Sequence, residues 1–348
     1  MNSTITITPE ILKLIAQIDE FKGRWEAMGA ISRDRLTQLK KTATIESIAS
    51  STRIEGATLT DQEVELLLSN LEIQEFQTRD EQEVASYAQA MEMVFESWEH
   101  LQVSENHIQQ LHATLLKFST KDTRHRGGYK TLDNHVVAFD AEGKQVGVVF
   151  ATTPPFDTPA YMRELIEWYH SEEAVHSMHS LLRTAQFIVR FLAIHPFQDG
   201  NGRLSRILTT LLLLQSGYDY VPYASIERIV EDNKEGYYRA LRTTQASFQD
   251  PVIDWEPWLL FFLRTLWKQC EVLRGKVEDH RIMQSQNLTP LAVKILTLFQ
   301  NHSQLSNREI VALTDSNSNT VKATLSKLVQ EHLLRTEGKG RSTTYRLQ

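Results

Sequence analysis

The sequence predicts a mostly α-helical protein of two domains: a helical bundle that carries one β-hairpin, and a C-terminal winged helix-turn-helix. Three observations predict it. Apolar residues recur at helical spacing over most of the first 280 positions, a single pair of β-rich runs interrupts them, and the charge balance changes near position 281. The 348 residues are 41% hydrophobic and 23% charged, which suits a chain that buries a sizeable core. The net charge is −7, yet residues 281 to 348 carry nine Lys or Arg against four Asp or Glu, so a basic tail follows an acidic body. That body argues against bulk nucleic-acid binding by the whole chain. Cys270 is the only cysteine, so no intrachain disulfide and no cysteine zinc site is expected, as in a reducing cytoplasm. No run approaches eighteen apolar residues, and Met1 to Glu10 lacks the basic and apolar stretches of an export signal; neither a membrane span nor secretion is expected.

Residues 9 to 40 read as mixed amphipathic helix. Ile45, Ile48, Ala49, Thr52 and Ile54 trace a further helical face that stops at Gly56, a C′-type glycine. Thr60 with Glu63 is a capping-box signature ahead of Val64, Leu67, Leu68 and Leu71, and further helical patterns cover 82 to 100 and 105 to 118. Asn134 to Phe139 and Val146 to Thr152 then read as a hairpin about a turn at 140 to 144. A lone hairpin needs a body to pack on, and its free edge can pair with another strand. Helices resume at 158 to 170, 181 to 194 and 203 to 215, the last two apolar over much of their circumference and therefore central.

Between those two central helices lies His195-Pro-Phe-Gln-Asp-Gly-Asn-Gly-Arg203, followed by Leu204, Ser205 and Arg206. Packing alone does not account for a polar, glycine-rich loop at that place. Pro196 ends the first helix, and Gly200 and Gly202 permit positive φ and close approach of a ligand to the backbone. Successive N–H groups there, with the start of the next helix, make an anion site, for which phosphate is the natural guest. Arg203 and Arg206, three apart, supply two guanidinium forks. Asp199 offers the hard oxygen that a magnesium ion bridging phosphates takes, and His195 titrates near neutrality as a general base. The glycines are no P-loop, because no Gly-Lys-Ser/Thr follows, and no dinucleotide fingerprint, because a helix precedes them and Ser205 holds the third glycine position.

The string His195-x-Phe197-x-Asp199-Gly-Asn-Gly-Arg203-x-x-Arg206 resembles the full signature of the Fic family, whose all-helical enzymes transfer part of a nucleotide, most often AMP from ATP, to a protein hydroxyl. The resemblance covers roughly residues 45 to 265. It implies a Fic-type helical bundle and gives each residue a role. His195 deprotonates the target hydroxyl, Phe197 packs the loop, and Asp199 holds Mg2+. Gly200, Asn201 and Gly202 form the anion hole, Arg203 and Arg206 reach the outer phosphates, and Leu204 and Ser205 complete the nucleotide segment. Ser51-x-x-x-Glu55-Gly56 is similar to the family's inhibitory motif; a carboxylate delivered to Arg206 would occupy the fork meant for the γ-phosphate. The hairpin matches the family's flap, which aligns a target by strand addition, with Val136 and Val137 central. Tyr237, Tyr238 and Gln245 match positions that hold adenine.

From Asn287 the order is helix 290 to 300, helix 307 to 314, helix 318 to 332, then β-type segments about Arg335 and Thr343 separated by a glycine turn, which looks like a winged helix-turn-helix. Its third helix, Asn317 to Lys327, with Lys339 and Arg341 of the wing, would suit DNA, or the module docks a protein. The expected division is an N-terminal helical region at 1–110 with the inhibitory helix near 45–56, a catalytic core at 111–280 and the winged helix at 281–348. The expected function is an autoinhibited, cytoplasmic protein adenylyltransferase that takes ATP and modifies a Ser, Thr or Tyr of a target or of itself, singly or as a homodimer. The alternatives are removal of AMP at the same site, or DNA-binding regulation through the tail.

Overall fold

The computed structural model describes residues 5–27, 31–70, 76–134, 136–139, 145–150, 152–285, 288–299, 302, 304–331, 333–337 and 343–347. Residues 1–273 and 274–348 form two compact units, so the expected N-terminal region and catalytic core share one body. No helix of the described residues is long and apolar enough to cross a membrane.

In the first unit α1 (Pro9–Ala27) and α2 (Arg33–Ile54) replace the single stretch expected from 9 to 40. The break comes where Ser32 caps α2, accepting from the Arg35 N–H at 3.3 Å, and α2 then runs unbroken to Gly56, whose φ of 106° ends it. Thr60 caps α3 (Asp61–Ser69) through the expected capping box. Thr78 and Glu81 form a second box at α4 (Arg79–Ser97), which the apolar spacing alone had placed three residues later. Next come α5 (Glu105–Leu115) and the hairpin of β1 (Val136–Phe139) and β2 (Gln145–Phe150). The strands pair antiparallel, Val137 opposite Val148 and Ala138 opposite Gly147, with an irregularity on either side. The turn expected at 140 to 144 lies outside the described residues.

Then follow α6 (Thr158–His170), α7 (Glu172–His176), α8 (Ser180–Ile194), α9 (Asn201–Gln215), α10 (Ile226–Asp232), α11 (Lys234–Ala246) and α12 (Glu256–Ser285), which runs past the end of the first unit. The centre is α8 against α9, and their apolar side chains are buried almost all round, as the sequence indicates. Burying a Leu or Phe contributes about 1.5–3 kcal/mol against exposing it, so this pair anchors both ends of the loop between them.

The second unit holds α13 (Pro290–Leu298), β3 (Leu305–Ser306), α14 (Asn307–Thr314), α15 (Ser318–Gln330), β4 (Leu334–Glu337) and β5 (Thr344–Leu347). Its sheet has the order β3-β5-β4. Ile295, Leu296, Ile310, Val321, Leu325 and Leu334 belong to its core. No periodicity marks β3, because two residues are too few to show one.

Candidate active site

The loop between α8 and α9 is fixed from both sides. Pro196 disfavours helical geometry at the residue before it, and His195 leaves α8 in the left-handed region at φ 52°, a conformation that costs a non-glycine residue about 1–2 kcal/mol. Gly200 starts α9 at φ 80°, where glycine carries no such cost. Asn201 turns back: its Oδ1 accepts from the Phe197 N–H at 2.9 Å and its Nδ2 donates to the Phe197 carbonyl at 2.6 Å. Its side chain is therefore committed to the loop, while its main-chain N–H, in the first turn of α9, has no intrahelical partner.

Beneath the loop, Phe197 is fully buried and stacks on His112 of α5, ring centroids 3.8 Å apart. His112 accepts at Nδ1 from the Gly127 N–H at 3.0 Å, so its proton sits on Nε2 and is donated to the Asp199 carbonyl, also at 3.0 Å. Burial holds its pKa down at about 4, against which the Asp199 carbonyl contact works. Lys130, likewise buried, donates to Asn134 Oδ1 at 2.8 Å, Thr152 Oγ1 at 2.9 Å and the Ile194 carbonyl at 3.1 Å, while Asn134 Nδ2 donates to the Phe197 carbonyl at 2.5 Å. This knot ties the two bases of the hairpin to the loop. Neither His112 nor Lys130 has a local signal; each acts across a long sequence separation.

His195 is half-buried, with Nδ1 3.3 Å from the Leu192 carbonyl. A carbonyl only accepts, so Nδ1 carries the proton and Nε2 presents a lone pair. Burial lowers its pKa to about 4 and the charge of Lys130 adds to that, so the imidazole is neutral at physiological pH. Asp199 Oδ1 accepts from the Gly200 N–H at 2.7 Å, and Oδ2 lies 3.4 Å from both Arg203 Nη2 and Arg79 Nη2. Burial pushes this carboxyl up, but Arg203, the Gly200 N–H and Arg79 together bring it below the usual value. Arg203 is buried and pairs with Glu83 Oε2 at 3.1 Å.

Arg206 Nε donates to Ser51 Oγ at 2.7 Å, and Nη2 donates to the Ser51 carbonyl and to Glu55 Oε1, each at 2.9 Å. Glu55, the C-cap of α2, lies directly over the start of α9: a Cβ built on Gly202 would collide with its Oε1. Burial raises the Glu55 carboxyl, but Arg206 and then Arg203 outweigh it and hold the group ionised. The Glu55 side chain is 31% exposed, and its pair with Arg206 holds it in place. Arg206 Nη1 is buried with no hydrogen-bond partner among the described residues, 3.4 Å from that same Gly202 position. An unmatched guanidinium N–H beside a helix N-terminus fits one more anionic oxygen.

Three expected site residues are buried and have partners of their own. Leu204 is fully buried and its N–H already bonds the Gly200 carbonyl at 2.9 Å. Ser205 is buried, with its hydroxyl donated to the Gly202 carbonyl at 2.7 Å. Gln245 is buried too, and its amide reaches the Val189 carbonyl of α8 at 3.5 Å. Tyr237 packs among Trp258 and Phe261 in the core, and Tyr238 is half-buried beside it. Val136 and Val137 lie on β1, while β2 runs beside α11.

Residues 102–213 match the model of the Fic/DOC family. Over 99 residues the chain is 31% identical to a probable protein adenylyltransferase of Aquifex aeolicus (strain VF5), covering 28% of each protein. Over 241 residues it is 26% identical to the protein adenylyltransferase Fic of Drosophila persimilis, covering 68% of this chain and 44% of that one. The chain thus spans less than half the length of these curated relatives. Its fold is similar to that of a Fic family protein from Desulfovibrio desulfuricans G20, with a TM-score of 0.64 and 22% identity over 100% of this chain and 98% of that one. It is also similar to a Fic-1 fragment from C. elegans, at a TM-score of 0.61 and 18% identity over 78% and 72%.

Proposed function

We propose, from the match of residues 102–213 to the Fic/DOC family model, that the chain is an autoinhibited protein adenylyltransferase. ATP places its outer phosphates over the N-terminus of α9, where the free N–H groups and the Arg203 and Arg206 guanidiniums receive them. Asp199, whose Oδ1 accepts from the Gly200 N–H, would offer a carboxylate oxygen to a magnesium ion at this place. When bound, the ion supplies charge neutralisation on the leaving pyrophosphate.

His195 Nε2 takes the proton from a hydroxyl of the target. The resulting alkoxide oxygen bonds to the α-phosphorus, the bond from that phosphorus to the α–β bridging oxygen breaks, and pyrophosphate leaves. Left-handed His195, held by Pro196 behind it, keeps the base in place, so catalysis rests on positioning and electrostatics. The outer edge of β1 at Val136 and Val137 receives the target backbone as an added strand.

One observation carries autoinhibition: Glu55 Oε1 holds Arg206 at 2.9 Å and covers Gly202, the place a phosphate oxygen would take. For the second unit we propose a winged-helix contact to DNA, on the ground that Asn319, Thr320, Lys322, Ser326 and Lys327 are exposed on α15, with Glu331, paired to Lys327 at 3.7 Å, only at its far end.

Intact-mass spectrometry of the chain incubated with ATP and Mg2+ tests the main reading. We expect an AMP adduct on Glu55→Gly at least about tenfold more abundant than on wild type, the loss of one charge-assisted competitor. Equal adduct on both proteins contradicts autoinhibition. Loss of a pre-existing AMP adduct instead would favour removal of AMP as the activity.

A further inference from the structure

The guanidinium of Arg206 is supported from a side that the transfer chemistry does not touch. Tyr87 of α4 is fully buried, and its hydroxyl donates to Glu227 Oε1 at 3.3 Å. Glu227 of α10 is buried as well, and its Oε2 accepts from the Ser225 hydroxyl at 3.3 Å, which in turn accepts from Ser47 of α2 at 3.0 Å. Burial raises the pKa of the Tyr87 hydroxyl, and Ser51, the residue that receives Arg206 Nε at 2.7 Å, works against that rise from the other side. The line therefore runs Arg206, Ser51, Tyr87, Glu227.

Its two ends fix the direction of every proton in it. An arginine only donates, and at the other end Glu227 Oε1 accepts from the Tyr87 hydroxyl. Ser51 must accept from Arg206 and so gives its own proton to Tyr87; Tyr87 must accept from Ser51 and so gives its proton to Glu227. Reversal at any link would leave a buried donor facing a donor. A buried carboxylate is costly to keep without a task, and here Glu227 orders two hydroxyls that orient a third group.

We propose that Tyr87 and Glu227 are positioning residues of the triphosphate site: acting through Ser51, they set the Arg206 guanidinium for the outer phosphates once Glu55 has left it. The inference rests on the adenylyltransferase reading. It separates two residues of one motif that share one turn of α2. Ser51 belongs to the working site and Glu55 to its inhibition, so release is a rotation of the Glu55 side chain with the last turn of α2 staying in place.

The test uses the full chain carrying Glu55→Gly and measures dissociation constants of ATP and of AMP, which lacks the phosphates that Arg206 serves, by isothermal titration calorimetry. Tyr87→Phe and Glu227→Gln are made in that background; both keep shape, and thermal melts check their folding. Each is expected to weaken ATP roughly tenfold, the worth of one misdirected hydrogen bond to a charged group, and to leave AMP unchanged. Ser51→Ala should behave like Tyr87→Phe, opposite in effect to the Glu55 change beside it. ATP binding that is unchanged, or ATP and AMP weakened alike, overturns the positioning role and leaves the nucleotide reading standing. A Glu55→Gly parent that binds no ATP overturns both.

Discussion

His112 and His195 are the residues whose titration the fold changes most usefully, and both in the same direction. Each is held near 4, below an ordinary imidazole, so each stays neutral as the solution is acidified past 6.5. The unfolded chain then binds protons that the folded chain refuses, and stability present above pH 6.5 is lost as the pH falls toward 4. Thermal melts at pH 7.5 and 5 should show this: wild type loses stability on acidification, and His112→Phe, weaker at pH 7.5, loses less. An equal loss in both proteins would contradict the account of His112. By the same reasoning, transfer by Glu55→Gly should hold its rate from pH 7 to 5.5, with no acid limb near 6.5. At this scale the sequence showed the loop well, because His195, Asp199, Gly200, Gly202, Arg203 and Arg206 lie within twelve positions. It did not show His112, Lys130, Tyr87 or Glu227, whose contacts cross between helices and leave no spacing to read.

Among elements, α2 matters most, since its last turn bears both Ser51 and Glu55. That turn is clamped by Arg53, whose Nε and Nη2 reach Glu231 of α10 at 2.6 and 2.9 Å, with Asp61 of α3 at 3.0 Å from Nη1 and the Leu59 carbonyl at 2.9 Å. The Arg53 side chain is only 18% exposed, so the cluster is shielded more than a surface pair. Arg53→Met should lower stability by about 1–3 kcal/mol in chemical denaturation. In the Glu55→Gly background it should also reduce transfer, because a displaced Ser51 no longer holds Arg206; increased transfer would mean that α2 lifts away on release. The element boundaries were legible where a capping box or glycine marks them, as at Thr60 and Gly56. They slipped where the apolar spacing began late, as at α4, or ran on across a cap, as at Ser32. Leu204 and Ser205 entered the expected site through the resemblance alone, and the structure shows both buried in α9.

For the whole molecule, the charge asymmetry read from composition coincides with a structural division, an acidic first unit and a basic second one. Lys322→Glu on the exposed face of α15 should weaken binding of the full chain to a fluorescent DNA duplex, with an affinity that falls as salt rises, and leave nucleotide transfer unaltered. Binding that ignores both salt and Lys322 would point to a protein partner for this unit. Lys339 and Arg341, expected on the wing, lie outside the described residues. The helical body, the hairpin and the tail were legible from periodicity; that the first 273 residues share one core was not, because packing between distant helices has no period.

The account turns on whether Glu55 and a nucleotide phosphate compete for Arg206 in an AMP transfer based on His195. The most direct measurement is label transfer to protein from α-labelled and, in parallel, γ-labelled ATP with Mg2+, by wild type, Glu55→Gly and Glu55→Gly/His195→Ala. Label is expected from the α-position only, strong in Glu55→Gly, weak in wild type and absent from the double variant. Label from the γ-position, or equal α-label in wild type and Glu55→Gly, would contradict it.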